Sequence, residues 1–377
     1  MKHLSLRLIV CGTIITLMLT ACTTAAPASQ PLTPTLVPSR LVIESEAIAR
    51  VDALLSQMAE DGTFTGSVLV AEKGEVLLSR GYGYADREQK IPNTPQTRFR
   101  LASVTKQFTA MAILILQSQG KLSVQDPICN YIDDCYPEWK DITIHHLLTH
   151  TSGLSRFLWP SLKATASVPA TPSHPVQPLA LFRDLPLDSR PGERFTYSNP
   201  GYILLSSIIE QVSGQSYEAF LQQAVFTPPN LRNTGYEHEA SALAAGYVNR
   251  YATAPVEFAG MSISDGSGLL YSTVEDLYQW DQALYTERLV SQTLLDRMFA
   301  PLIQETGQAG YAYGYGWYVG EDRGRPLVGH GGNIEGFATL IIRYPADQIT
   351  LIVLMNQQDI NQLSVWQAIS NEIFGEE

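Results

Sequence analysis

Strand-forming runs stand at both ends of this chain, and helical runs fill its middle. Near the beginning, Ser67-Val-Leu-Val-Ala71 and Val76-Leu-Leu-Ser79 flank a Glu-Lys-Gly-Glu turn, the pattern of a β-hairpin. Toward the end, strands are predicted around Tyr313–Val319, Leu327–Gly329, Gly336–Arg343 and Ile349–Met355, with a last helix from Asn361 to Phe374. Residues 41–60 repeat apolar side chains at helical spacing through Leu41, Ile43, Ile48, Val51, Leu54, Leu55 and Met58 and predict an opening helix. This order points to a mixed α/β lobe made from the two termini and interrupted by a helical insertion. A chain of 377 residues with 45% hydrophobic content can bury a large core. No internal repeat is visible.

The first residues carry Lys2 and Arg7, then an apolar run from Leu8 to Leu19. The run is too short for a spanning helix and has the flanks of a secretory signal. It ends in Leu19-Thr20-Ala21-Cys22, which resembles the lipobox of bacterial lipoproteins. That resemblance implies cleavage after residue 21, lipid on Cys22 and firm anchoring without a transmembrane helix. An ordinary signal peptide with an incidental cysteine is the alternative. Residues 23–40 are rich in Pro, Thr and Ala without apolar periodicity and read as a disordered tether. The expected location is therefore the cell envelope, outside the cytoplasm and lipid-anchored to a membrane.

Loss of residues 1–21 removes two basic residues and no acid, so the formal charge moves from −12 to −14. No basic run exists to hold phosphates, which argues against nucleic acid as a partner. Cys129 and Cys135 bracket Asn-Tyr-Ile-Asp-Asp. Outside the cytoplasm so close a pair is expected to form a disulfide. A zinc or redox role is the alternative, without a second cysteine pair or a nearby histidine to complete it.

The strongest chemical signal is Ser103-Val-Thr-Lys106, at the head of an apolar helical run that continues to Gln117. Residues i and i+3 share a helix face, so the Lys106 amine would lie beside the Ser103 hydroxyl. A desolvated lysine can take a serine proton, and free N–H groups near a helix start can hold an oxyanion. Ser-x-x-Lys alone is a weak motif. A lysine flanked by Val104, Phe108 and Met111 is less ordinary.

Two further motifs change its weight. Tyr197-Ser198-Asn199 follows a turn-forming Ser189-Arg-Pro-Gly-Glu193, and His330-Gly331-Gly332 precedes an apolar strand. In this order and wide spacing the chain resembles the serine β-lactamase and penicillin-binding superfamily, most of all its class C-like branch of β-lactamases, DD-carboxypeptidases, D-aminopeptidases and esterases. Leu147-Leu-Thr-His-Thr-Ser-Gly-Leu154 and Gly266-Ser-Gly-Leu-Leu-Tyr-Ser-Thr273 agree, and the likeness runs from about Ala47 to about Phe374. It implies an antiparallel five-stranded sheet flanked by helices, plus a mainly helical lobe, with the site in the cleft between. Residues 41–120 and 250–377 would form the mixed lobe and residues 121–249 the helical one.

By this resemblance Ser103 is the nucleophile of an acyl-enzyme, and Lys106 and Tyr197 form one coupled proton-transfer unit; which of the two is the base stays open. Asn199 would orient Lys106 and bind substrate; a helix N-cap before Pro200 is its other role, and the two are compatible. His330 stands where the β-lactamases have a lysine and would donate a hydrogen bond or carry charge toward the site. Gly331 lacks the hydroxyl that helps relatives bind a substrate carboxylate. Gly332 lets the strand lie close to the acyl chain, and the Asn333 N–H joins that of Ser103 in the oxyanion hole. No metal or other cofactor is expected: His145, His146 and His150 lack a His-Glu-x-x-His pattern and align with a structural stretch of the family. The aromatic run Tyr311–Tyr318 reads as packing rather than as a sugar platform. The segment 157–178, with five prolines, reads as a loop near the cleft mouth.

The function expected is an envelope serine hydrolase acting on an ester or a D-amino-acid peptide, with a small-molecule ester or peptide as its partner and peptidoglycan as one source of it. One alternative is a DD-carboxypeptidase or class C-like β-lactamase in which an arginine such as Arg250 or Arg343 holds the carboxylate. Another is a non-catalytic envelope-binding protein.

Overall fold

A computed structural model describes residues 42–133, 135–155, 185–236, 242–256 and 265–375. Residues 41–377 make one compact unit. Cys22, the 23–40 tether and the 157–178 segment lie outside the described residues.

The chain opens with helix α1 (Ser45–Glu60), which turns Ala47, Val51 and Leu55 inward. The hairpin follows as β1 (Gly66–Glu72) and β2 (Glu75–Tyr82). Helix α2 (Lys106–Ser118) continues directly from a 3₁₀ turn at Ala102–Thr105 and buries eleven consecutive residues, Lys106 to Leu116. A helix buried all round is a core helix. The middle of the chain adds α3 (Ile144–Leu148), α4 (Asn199–Ser213) and α5 (Val274–Ala283). The end supplies β3 (Ala312–Tyr313), β4 (Tyr318–Asp322), β5 (Arg325–Ile334), β6 (Phe337–Tyr344), β7 (Ile349–Met355) and α6 (Gln362–Phe374).

The strands form one antiparallel sheet in the order β2-β1-β7-β6-β5-β4-β3. The first hairpin therefore pairs with the last strand, Val68 opposite Val353. Apolar side chains of α1 and α6 cover one face, and α2 belongs to the core on the other. β1, β6 and β7 are buried along their whole length, which explains their continuous rather than alternating apolar runs.

The sheet has seven strands, two more than the five expected. The stretch expected as one strand at Tyr313–Val319 breaks into β3 and β4 around a tight turn, where the Gly314 N–H donates to the Trp317 carbonyl. Gly316 takes a φ of +77° there, and a Cβ on it would lie 2.8 Å from the Lys106 carbonyl oxygen. The turn thus presses against the start of α2, which only glycine permits. Tyr313, Tyr315 and Trp317 are fully buried, so these three rings of the aromatic run are packing. Cys129 and Cys135 form a disulfide with their Cα atoms 5.2 Å apart.

Candidate active site

Ser103 lies in the 3₁₀ turn, partly exposed between buried neighbours. The residue before it, Ala102, has a φ of +48°, a left-handed conformation that costs a non-glycine residue about 1–3 kcal/mol. The surroundings impose it. Leu101 donates its N–H to the Leu270 carbonyl at 2.8 Å, and its own carbonyl accepts from Thr339 Oγ1 at 2.8 Å. Strand β5 closes the other side: a Cβ on Gly332 would stand 2.3 Å from the Leu101 oxygen and 3.0 Å from Ala102 Cβ.

Lys106 is wholly buried. Its Nζ donates to Asn199 Oδ1 at 2.9 Å and to the Ser267 carbonyl at 2.9 Å, and lies 3.2 Å from Ser103 Oγ. Burial pushes its pKa well below the ordinary lysine value, because the charged form loses its hydration. The free amine has two N–H groups and one lone pair. Two carbonyl acceptors consume the N–H groups, so the lone pair is left facing the serine hydroxyl. That arrangement can accept the Ser103 proton.

Tyr197 lays its ring beside this amine, 4.9 Å from Nζ to the centroid, with Tyr202 at 5.5 Å. Its hydroxyl is enclosed and, among the described residues, meets no partner at full hydrogen-bonding geometry. Burial pushes the phenol pKa well above 10, and the nearby Ser103 hydroxyl offsets only part of that. Burial thus favours the uncharged form of both the amine and the phenol, a pair that can pass a proton between them. Ser198 is the N-cap of α4, its hydroxyl accepting from the Gly201 N–H at 3.4 Å. Asn199 is therefore the first helical residue rather than the cap, and its amide is left to hold Lys106.

His330 is 3% exposed. Burial, reinforced by Lys106, lowers its pKa to about 3. Nδ1 lies 2.7 Å from the Gly331 carbonyl and Nε2 3.1 Å from the Tyr313 hydroxyl. The expectation of a donor or charge directed at the substrate is corrected: both nitrogens are occupied inside the protein. A Cβ on Gly331 would meet the Gln362 amide nitrogen at 3.1 Å, whereas one on Gly332 would strike the nucleophile turn. The two glycines therefore have opposite surroundings. Asn333 is exposed, paired in register with Ala338.

Arg343 is corrected as well. It is 1% exposed and ion-paired with Asp281 at 2.5 Å, in the core, so it holds no substrate carboxylate. Arg250 lines a separate cleft of about 400 Å³ with Met58, Tyr251, Asp359 and Asn361. The three early histidines turn to different partners: His145 to Tyr315, His146 to the Thr143 cap, and His150 to Ser198 and Tyr313. The sequence reading missed Ser267, Tyr202 and Tyr313 as neighbours of the site. Gly266 was the available signal for the first, since a Cβ there would lie 2.3 Å from the Tyr202 carbonyl.

Residues 51–366 match the Beta-lactamase family. Penicillin-binding protein 4* of Bacillus subtilis (strain 168) is 30% identical over 352 residues, covering 86% of this chain and 76% of that protein. The crystal structure of a penicillin binding protein from Bacillus halodurans superposes with a TM-score of 0.73 at 29% identity, over 84% of this chain and 99% of that one. EstCE1, a hydrolase with promiscuous acyltransferase activity, gives 0.75 at 25% identity, over 88% and 99%. The chain belongs to the Beta-lactamase family and is a serine hydrolase.

Proposed function

We propose that this protein cleaves esters or D-amino-acid amides through an acyl-enzyme on Ser103, in the cleft between the mixed and helical lobes. Lys106 takes the Ser103 proton as the oxygen attacks the acyl carbon. The tetrahedral oxyanion rests on the N–H groups of Ser103 and Asn333. Tyr197 relays the proton from Lys106 to the departing alcohol or amine as its bond to the acyl carbon breaks. Water then attacks the acyl-enzyme, and the same groups return the proton to Ser103. Asn199 holds the amine in place and contacts the acyl side of the substrate.

The observation that carries this reading is the wholly buried Lys106 amine, its two N–H groups consumed by fixed acceptors and its third contact the Ser103 hydroxyl. A non-catalytic binder has no use for a desolvated lysine at that place. Residues 1–21 act as a lipoprotein signal, and lipid on Cys22 with the 23–40 tether places the enzyme at the envelope surface.

The test is intact-mass labelling of the mature protein with a fluorophosphonate and, separately, a labelled penicillin, beside Ser103→Ala. Adducts that vanish in the variant support the nucleophile. Labelling by penicillin with rapid turnover of a cephalosporin would move the assignment to the penicillin-recognising chemistry that the relatives' names describe. No adduct with either probe would sink the acyl-enzyme.

A further inference from the structure

The hydrogen bonds behind His330 continue beyond Tyr313, and backbone groups fix their direction at both ends. At one end, the Gly331 carbonyl can only accept, so His330 Nδ1, 2.7 Å away, carries a proton. A neutral ring then has a bare Nε2, which accepts the Tyr313 O–H at 3.1 Å. At the other end, the Ser198 N–H donates to His150 Nδ1 at 3.1 Å, so the proton of that ring sits on Nε2. Nε2 lies 3.2 Å from the Tyr313 hydroxyl oxygen and donates to it. With Tyr313 donating to His330, the chain Ser198–His150–Tyr313–His330–Gly331 is satisfied with both imidazoles neutral.

His150 and Tyr313 are buried like His330, so water does not compete for these bonds. Among the described residues, the groups that face His330 are Tyr313, Tyr318 and Tyr197 through their rings, and Lys106; His150 stands beyond Tyr313. None is a carboxylate that would hold an imidazolium. Tyr202, beside Tyr313, gives its own proton to the Leu148 carbonyl at 2.8 Å, and its oxygen is a second acceptor near the Tyr313 hydroxyl. Gly331 supplies no hydroxyl, and Arg343 is committed to Asp281.

We propose that Tyr313, backed by His150, is a specificity-determining positioning residue: it holds His330 as a neutral, inward-turned ring, so the cleft favours acyl donors with uncharged leaving groups over donors bearing a carboxylate there. This rests on the acyl-transfer reading above. Tyr313 acts through His330 and touches no reacting atom.

The experiment compares a p-nitrophenyl ester with a 3-carboxyphenyl ester of the same acid, measured as the ratio of kcat/KM between pH 5 and 8. Wild-type protein should prefer the neutral ester at every pH, with a flat ratio. In Tyr313→Phe the Nε2 loses its donor, so the ring is no longer held inward and can take a proton and turn toward a carboxylate. The carboxylate ester should gain roughly tenfold relative to the neutral one, as expected for a charged hydrogen bond, and the gain should grow as pH falls. An unchanged ratio in a Tyr313→Phe protein whose Ser103 still labels with fluorophosphonate would overturn the proposal.

A second measurement needs no variant. Imidazole ¹⁵N spectra of the wild-type protein should show His330 as the neutral Nδ1–H tautomer at pH 5, and an imidazolium there would overturn it. Loss of Ser103 labelling in wild type would count against the acyl-enzyme, while the tautomer measurement would still decide the device.

Discussion

Replacing Gly332 by alanine should disable this enzyme by displacing a strand rather than by removing a chemical group. The new methyl would stand 2.3 Å from the Leu101 carbonyl oxygen, 2.5 Å from Thr339 Oγ1 and 3.0 Å from Ala102 Cβ. Real Cβ atoms do not approach backbone closer than about 3.0 Å, so β5 and the nucleophile turn must separate by about 0.7 Å. Such overpacking costs about 1–3 kcal/mol of stability. A shift of that size between nucleophile and oxyanion donors should lower kcat on the order of 10²-fold. The assay is turnover of a p-nitrophenyl ester, with active sites counted by fluorophosphonate titration and stability by denaturant unfolding. Adding Thr339→Ala should rescue little, because the Leu101 carbonyl stays where it is. Gly331→Ala is the control. Its methyl meets the movable end of Gln362 at 3.1 Å, and activity should stay within about twofold. Equal damage at 331 and 332, or a fully active Gly332→Ala, would refute the steric argument.

Lys106→Met should cost on the order of 10³-fold in kcat, the scale of a lost general base, while raising stability. The folded-state pKa of Lys106 is depressed, so the unfolded chain binds more protons below the ordinary lysine value. Stability of the parent therefore rises with pH toward about 10, and thermal unfolding from pH 6 to 10 should show the variant's advantage shrinking. Arg343→Met strands Asp281 without its cation and should cost about 3–5 kcal/mol in urea unfolding. The double variant with Asp281→Asn should recover much of that, since the charge left behind is gone; no recovery would mean the pair acts through packing alone.

The parts of the site carried by local pattern were legible in the chain. Ser103 and Lys106 sit three apart on apolar positions, and a turn signal announces Tyr197-Ser198-Asn199. The hairpin and the long apolar strands were equally plain, because continuous burial leaves continuous hydrophobic runs. Contacts made by backbone at long range left no such mark. The Ser267 carbonyl that holds Lys106 and the Leu101 carbonyl that forbids a side chain at 332 belong to groups every residue carries. His150 was visible, but its partners, the Ser198 N–H and the Tyr313 hydroxyl, lie 48 and 163 residues away. The split of the expected Tyr313–Val319 strand had a cue in Gly314 and Gly316. Its reason, the approach of Gly316 to Lys106, appears only once the helix is in place.

The pairing of the first hairpin with the last strand also bears on when this protein becomes an enzyme. Ser103 and Lys106 leave the ribosome early, but the wall that shapes their turn, Arg325–Ile334, comes late, and β6 and β7, which together join that wall to the opening hairpin, come after it. Pairings of such long sequence separation form slowly. A nascent or truncated chain therefore carries its nucleophile in an unfinished turn. Hydrolysis begins only after the C-terminal strands have closed on residues made near the start.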